Sequence, residues 1–277
     1  MKKYLWFVAV SAFLFSCADD TRDNPYDERA VNYIDLRYTG SYGSLLYEGQ
    51  TYKTVKIGTQ TWMAENLNYN ASGSKCYNCD KYGRLYNWAT AMSLPSSCNS
   101  NSCSSQIQSK HRGICPSGWH IPSGAEWNTL SSYVESDSDC SNMCARLFKA
   151  TSGWDSEGKG IDRYGFSALP GGYGGSGDRV YCSNVRYGNS EDGYFCDVGY
   201  EGRWWSASEY EYEFFSDCRE RIYYSIDVGK YNGLGYAQED NSDSSIFFGC
   251  SNYKESRGMG WYRSTASFQF SVRCVKD

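Results

Sequence analysis

Thirteen cysteines in 277 residues constrain this chain more than any other feature. An odd count is awkward for an exported protein, in which thiols are held as disulfides. Setting Cys17 aside leaves twelve, which can pair completely, although twelve cysteines admit roughly ten thousand pairings. Spacing singles out four short bridges: Cys76 with Cys79, Cys98 with Cys103, Cys140 with Cys144, and Cys182 with Cys196. Cys115, Cys218, Cys250 and Cys274 are left for longer ones.

Cys17 is set apart by what precedes it. Met1, Lys2 and Lys3 lead into YLWFVAVSAFLF, a basic n-region and an apolar h-region too short to span a bilayer. The run ends at Leu14-Phe15-Ser16-Cys17, the layout of a bacterial lipobox, where cleavage precedes a cysteine that becomes acylated. Phe15 departs from the small residue usual at its position, and the alternative is an ordinary secretory signal cut nearby. Both readings export the protein. Cleavage after Ser16 leaves 261 residues and, with Lys2 and Lys3 gone, moves the formal charge from −5 to −7. An acidic surface of this kind has no basic patch to displace counterions from phosphates, so no nucleic-acid partner is expected. No later run approaches the roughly eighteen apolar residues of a membrane-spanning helix. The expected membrane partner is therefore reached through acyl chains on Cys17, and the expected location is the outer membrane or cell surface.

Residues 18–48 are polar and without sustained periodicity, so 1–16 reads as the signal, 17–48 as an acylated tether and 49–277 as the domain. From residue 51, TYKTVKIGTQTWMAENL alternates at Val55 and Ile57 and turns at Gly58-Thr59-Gln60, which predicts a hairpin. Leu85, Trp88, Ala89 and Met92 fall at helical spacing. Residues 96–109 form a Ser/Asn loop pinned by cysteines. The second half reads as strands in YGFSALPGGY, RWWSASEY, RIYYSIDVGKY and ASFQFSVRCVKD. In the last, Phe268, Phe270, Val272 and Cys274 alternate with Gln269, Ser271 and Arg273, which predicts one buried face. No fixed-period repeat is evident.

The stretch ICPSGWHIPSGAEW, residues 114–127, places Cys115 five positions ahead of His120, one of only two histidines. Ser123 and Glu126 form the S-x-x-E capping box of a helix that buries Trp127, Leu130 and Val134, so Glu126 has a sufficient structural role. His120 alternates with Trp119 and Ile121 as a short strand, and a histidine there belongs to the core. Outside the cell Cys115 would have to stay reduced to act as a nucleophile; the terminal strand offers Cys274 as its disulfide partner instead. Cys76-Tyr77-Asn78-Cys79 lacks the second C-x-x-C of a zinc site and reads as a local disulfide. GGYGGSG lacks the lysine and serine of a phosphate-binding loop and reads as a flexible loop. Acidic clusters at 137–139, 155–162 and 239–243 have no EF-hand spacing, so no metal or cofactor is assigned, a structural calcium staying open.

With 9 Trp, 26 Tyr and 12 Phe, many rings must be half exposed. Tyr210, Tyr212, Phe214, Tyr231 and Tyr236, flanked by Ser, Asn, Asp and Glu, are the ligand-binding candidates. Rings with polar neighbours suit stacking on sugars and suit protein interfaces equally.

The strings VKIGTQTWMAENLNY (55–69), CDKYGRLYNWATAM (79–92), GICPSGWHIPSGAEWNTL (113–130), TSGW (151–154), YGFSALPGGY (164–173), WWSASE (204–209) and FSVRCVKD (270–277) resemble, in order, the Fibrobacter succinogenes major paralogous domain family. The resemblance covers about 51–277 and implies a secreted or lipoprotein-type surface domain. More remotely, W-H-I-P-S-x-x-E-W before a helix and a terminal V-R-C-V are similar to the C-type-lectin and formylglycine-generating-enzyme superfamily. That implies an α+β, C-type-lectin-like fold: small antiparallel sheets, two main helices and long disulfide-pinned loops, with the N- and C-terminal strands together. The activities of those relatives do not carry across, because the EPN, QPD and WND motifs are missing and WNT stands at 127–129. The expected function is a non-catalytic surface module that binds polysaccharide or another glycan. The alternatives are an adhesion component that contacts surface proteins and, disfavoured for want of an acid/base pair, an enzyme.

Overall fold

Two tight hairpins begin the fold. Strands β1 (Gly43–Tyr47), β2 (Gln50–Ile57) and β3 (Gln60–Met63) run antiparallel in sequence. Glu48 and Gly49 make the first turn with φ of 48° and 77°, the paired positive values that match the twist of the flanking strands. Gly58 makes the second at φ 58°, and Gln60 joins β3, paired with Ile57, rather than the turn. β1 lies inside the segment expected to be tether. The folded unit therefore begins earlier than residue 49; it runs from Arg37 to Asp277. The structure, a computed structural model, describes residues 35–138, 144–154, 160–175, 185–187, 194–214, 218–229, 259–264 and 268–277.

The elements that follow are short. They are β4 (Lys75–Cys76), α1 (Cys79–Tyr82), β5 (Arg84–Leu85), α2 (Trp88–Met92), β6 (Trp119–His120), α3 (Gly124–Glu135) and α4 (Cys144–Phe148). Then come β7 (Tyr173–Gly175), β8 (Val185–Tyr187), β9 (Tyr194–Cys196), β10 (Glu201–Phe214), β11 (Cys218–Gly229), β12 (Met259–Ser264) and β13 (Val275–Lys276). The main sheet has the order β1-β2-β3-β13-β6, so the C-terminal strand sits between the N-terminal hairpin and the His120 strand. Smaller antiparallel sheets are β10-β11-β12, β7-β9-β8 and β4-β5. The class is α+β.

Two expectations about helices need correction. The helix expected from Leu85 to Met92 is only Trp88–Met92, and Leu85 lies in β5. Tyr86 exchanges backbone hydrogen bonds with Phe270 at 2.9 and 3.0 Å, and the Asn87 side chain then caps by accepting from the Thr90 N–H at 2.9 Å. A residue held in a bridge cannot also continue a helix. Among the described residues α3 alone exceeds five residues, so these hold one main helix rather than the two expected.

The terminal segment also differs from its alternation. Gln269, Ser271 and Arg273 are buried along with Phe270, Val272 and Cys274, because the chain threads the core with neighbours on both sides. Gln269 bridges Gly174, Phe270 bridges Tyr86 and Ser271 bridges Trp204. Residues 164–172 of the expected YGFSALPGGY strand make only isolated bridges, at Ala168 and Gly172. Conversely, the expected flexible loop contains β7, and a Cβ on Gly172 would stand 2.1 Å from the Cys196 carbonyl oxygen, so glycine there is a packing requirement.

Arg273 shows how burial on both faces is tolerated. Its Nε donates to Asn66 Oδ1 at 2.9 Å, Nη1 to the Phe166 carbonyl and Nη2 to the Ser167 carbonyl at 2.7 Å. Its guanidinium lies 4.3 Å from the Phe166 ring centroid. Burial pulls the guanidinium down to about 9, which leaves it charged at neutral pH. Trp204 donates its indole N–H to the same Asn66 Oδ1 at 2.8 Å, and Trp205 donates to the Tyr86 carbonyl at 2.6 Å. Both tryptophans are core residues.

Three bridges are as expected: Cys76–Cys79, Cys98–Cys103 and Cys115–Cys274. Cys196 is also disulfide-bonded. Cys140, Cys182 and Cys250 lie outside the described residues, while Cys144 and Cys218 open α4 and β11. No described helix is long and apolar enough to cross a membrane. Cys17 lies outside the described residues.

Candidate functional site

The site grows from the start of α3. Pro122 ends the His120 strand, and Ser123, extended at φ −72° and ψ 164°, caps the helix. Its hydroxyl accepts from the Glu126 N–H at 3.3 Å, while Glu126 Oε2 accepts the Ser123 N–H at 2.8 Å and its O–H at 2.7 Å. The predicted capping box is therefore complete. Above it, β10 bulges between Trp205 and Glu209 and leaves its pairing with β11. The released groups turn to the cap: Ala207 N–H donates to the Pro122 carbonyl at 2.8 Å, and the Ser208 hydroxyl accepts from Gly124 N–H at 2.9 Å. The bulge thus trades ladder bonds for bonds that hold the helix start.

Glu126 has a second job that the cap alone did not reveal. Its other oxygen lies 2.7 Å from His120 Nε2, and Asp277 Oδ1 lies 2.7 Å from His120 Nδ1. A carboxylate on each nitrogen favours the imidazolium, the form in which both nitrogens donate. Burial of His120 pulls its pKa down, but the hydrogen bonds and negative charges of Glu126 and Asp277 outweigh this, and the pKa is raised. For Glu126, burial pushes upward, and the bonds from His120 and Ser123 win, leaving its pKa lowered. The cluster links β6, α3 and the residue after β13. Asp277 is 157 positions from His120, beyond any local sequence signal.

A cavity of about 470 Å³ opens beside this cluster, lined by Ser104, Gln108, Ser123, Glu126, Ser208 and both histidines among others. His111 Nδ1 accepts from the Gln108 N–H at 3.2 Å and its Nε2 bonds the Met92 carbonyl at 2.8 Å. All four ring nitrogens of the chain's two histidines are therefore spent inside the protein. Cys115 is in a disulfide, so the Cys115–His120 constellation has no thiol. The lining offers hydroxyls and an amide that can exchange hydrogen bonds with a polar ligand.

Tyr210, Tyr212 and Phe214 lie in β10, not in a loop, with backbone partners Ile222, Glu220 and Cys218. Tyr231, Tyr236 and the acidic cluster 239–243 lie outside the described residues. Of the carboxylates weighed for calcium, Asp137 pairs with Arg163 at 2.9 Å and accepts from the Tyr164 hydroxyl. Asp162 accepts the Ser167 N–H at 2.7 Å and the Ser167 O–H. Among the described residues no group of three or more His, Cys, Asp or Glu is arranged to hold a metal ion.

A second cavity, of about 350 Å³, was not anticipated from the sequence. Tyr77, Asn78, Tyr82, Trp154, Gly199 and Tyr200 line it. The C-x-x-C that encloses Tyr77 and Asn78 was its one sequence signal.

Neither a curated protein nor a solved structure matches the chain. The profile of the Fibrobacter succinogenes major domain matches residues 55–276, which takes in the end of β2, all of β3, the capping box and the terminal strand. The chain belongs to the Fibrobacter succinogenes major domain family.

Proposed function

We propose that this protein is an exported lipoprotein, acylated at Cys17, whose folded unit is a non-catalytic module that binds polysaccharide or another glycan at the outer membrane or cell surface. The observation that carries the non-catalytic reading is the state of the two histidines. A histidine acting as general base needs a free imidazole nitrogen, and all four are bonded within the protein. Besides the histidines and Glu126, the cavity offers serine hydroxyls, the Gln108 amide and the Lys110 ammonium, suited to holding a polar ligand. Disulfides support an oxidising location, and the lipobox-like Leu14–Cys17 supports the anchor. The five-stranded sheet that joins the N-terminal hairpin to the C-terminal strand supports a C-type-lectin-like fold.

The test is a binding screen of the full chain in detergent micelles against soluble glycans and insoluble fibres. Saturable retention on a polysaccharide is expected. A flat response across the panel refutes the reading. One observation favours contacts with other surface proteins instead: β1 is an edge strand, and its Leu46 is 71% exposed. Protein partners retained by pull-down, without glycan retention, would decide for that role.

A further inference from the structure

We propose that the cleft lined by Tyr77, Asn78, Tyr82, Trp154, Gly199 and Tyr200 is a binding site for uncharged sugar rings, and that the Cys76–Cys79 disulfide shapes it. This rests on the binding-module reading and assigns that module its ligand class and its residues.

Among the described residues the lining carries no formal charge. Four rings, an amide and bare glycine backbone surround a volume of about 350 Å³, at the small end of the roughly 300–1,000 Å³ range of ligand pockets. The electron-rich face of an aromatic ring attracts the weakly positive C–H face of a pyranose, while phenol hydroxyls and an amide can bond sugar hydroxyls. An acidic sugar or a charged peptide would find no ion-pair partner among the lining residues themselves, the lysines Lys81 and Lys149 being turned to the floor rings, and would lose hydration on entry.

The four rings divide into floor and rim. Tyr82 and Trp154 are buried, and each has a cation against its ring: Lys81 Nζ at 4.8 Å and Lys149 Nζ at 4.7 Å. The Trp154 indole N–H is spent on the Ala168 carbonyl at 2.9 Å. These two form a fixed base. Tyr77 and Tyr200 are half-buried and supply the accessible rings. Tyr77 is backed by Phe195, with ring centroids 5.4 Å apart.

Both rim loops are held in place before any ligand arrives. Cys76–Cys79 closes the shortest loop that can present Tyr77 and Asn78 together, and Asn78 sits in the left-handed region at φ 51°, ψ 52°. On the other side, Tyr200 and Glu201 N–H groups both donate to the Asp197 carbonyl at 3.0 Å, directly after disulfide-bonded Cys196. Gly199, at φ 95°, has open space where a Cβ would stand, so the turn narrows nothing at the mouth. Preorganised loops spend less of their contact energy on ordering, which is the physical use of pinning a small site this way.

The test measures binding of the full chain in detergent micelles to cello- and xylo-oligosaccharides, with an oligogalacturonate as the anionic comparison. Tyr77→Ala and Tyr200→Ala are each expected to weaken binding of an uncharged probe roughly tenfold, about 1.4 kcal/mol. Tyr77→Phe, which keeps the ring, and Tyr133→Ala, away from the cleft, should bind as the parent does. Cys76→Ser/Cys79→Ser should weaken binding with little change at Tyr200. A second measurement needs no variant: bound oligosaccharide should protect Tyr77 and Tyr200 from nitration, read by mass spectrometry. If the parent binds sugar while both alanine variants bind equally well and nitration is unprotected, the cleft is refuted and the module reading stands. If the parent binds neither uncharged oligosaccharide, the cleft proposal falls, and the module reading falls with it only where the wider glycan and fibre panel is flat as well.

Discussion

The Cys115–Cys274 bridge is the most consequential covalent choice in this fold, and its removal can be worked through. It joins residues 159 apart, from the segment before β6 to the one before β13, and both cysteines are fully buried. In the chain-entropy model a loop of that length restricts the unfolded chain by about 5 kcal/mol at 25 °C. Replacing both cysteines by alanine also deletes two buried sulfur atoms and adds roughly 1 kcal/mol of lost packing. The same model gives about 2 kcal/mol for Cys98–Cys103, whose cysteines are only five apart. Cys115→Ala/Cys274→Ala should therefore lose about 6 kcal/mol, a large part of the roughly 5–15 kcal/mol typical of folded domains. For a domain of this size that is a fall of roughly 12–24 °C in melting temperature. Cys98→Ala/Cys103→Ala, whose sulfurs are also buried, should lose about half as much, roughly 3 kcal/mol. Urea unfolding of the three proteins, monitored by tryptophan fluorescence, reads the order directly. If the short bridge proves as costly as the long one, or the long one costs under about 1 kcal/mol, loop closure is not what stabilises this protein.

Two further perturbations test the buried polar groups. Arg273→Met leaves the Phe166 and Ser167 carbonyls without their donor, whereas Asn66 keeps the Trp204 indole; a loss of about 2–5 kcal/mol is expected from denaturant unfolding, and a loss within error would refute the network. The His120 cluster makes stability depend on pH with a definite sign. The raised folded pKa of His120 gives stability that is complete below its ordinary value of about 6.5 and lost as pH climbs through the raised value. The lowered pKa of Glu126 gives stability present above the ordinary value of about 4.3 and lost as pH falls through the lowered one. Melting temperature should be highest between these limits, and His120→Gln should flatten the alkaline fall; an unchanged profile in that variant would show that the imidazolium does not hold the cluster.

Local chemistry was legible in the residues. The Ser123/Glu126 box, the two hairpin strands around Gly58, and the short-range bridges at Cys76–Cys79 and Cys98–Cys103 all follow from interactions within a few positions. The Cys115–Cys274 pairing was reachable too, through the oxidising location and the terminal strand's hydrophobic pattern. Alternation misled where an element has neighbours on both faces. Gln269, Ser271 and Arg273 read as solvent-facing because a strand half exposed to water and one with satisfied polar groups inside the core can share the same pattern.

By itself, the sequence determined the helix cap, the turns and the need for an oxidised scaffold, because these depend on backbone sterics, short hydrogen bonds and thiol chemistry. Only the tertiary structure decided that Asp277 would meet His120 across 157 positions and so turn a catalytic-looking histidine into a charged clamp. It alone also brought Tyr77, Trp154 and Tyr200 around one cleft. Convergence of distant side chains depends on how sheets and loops pack, and no local rule of spacing carries that information.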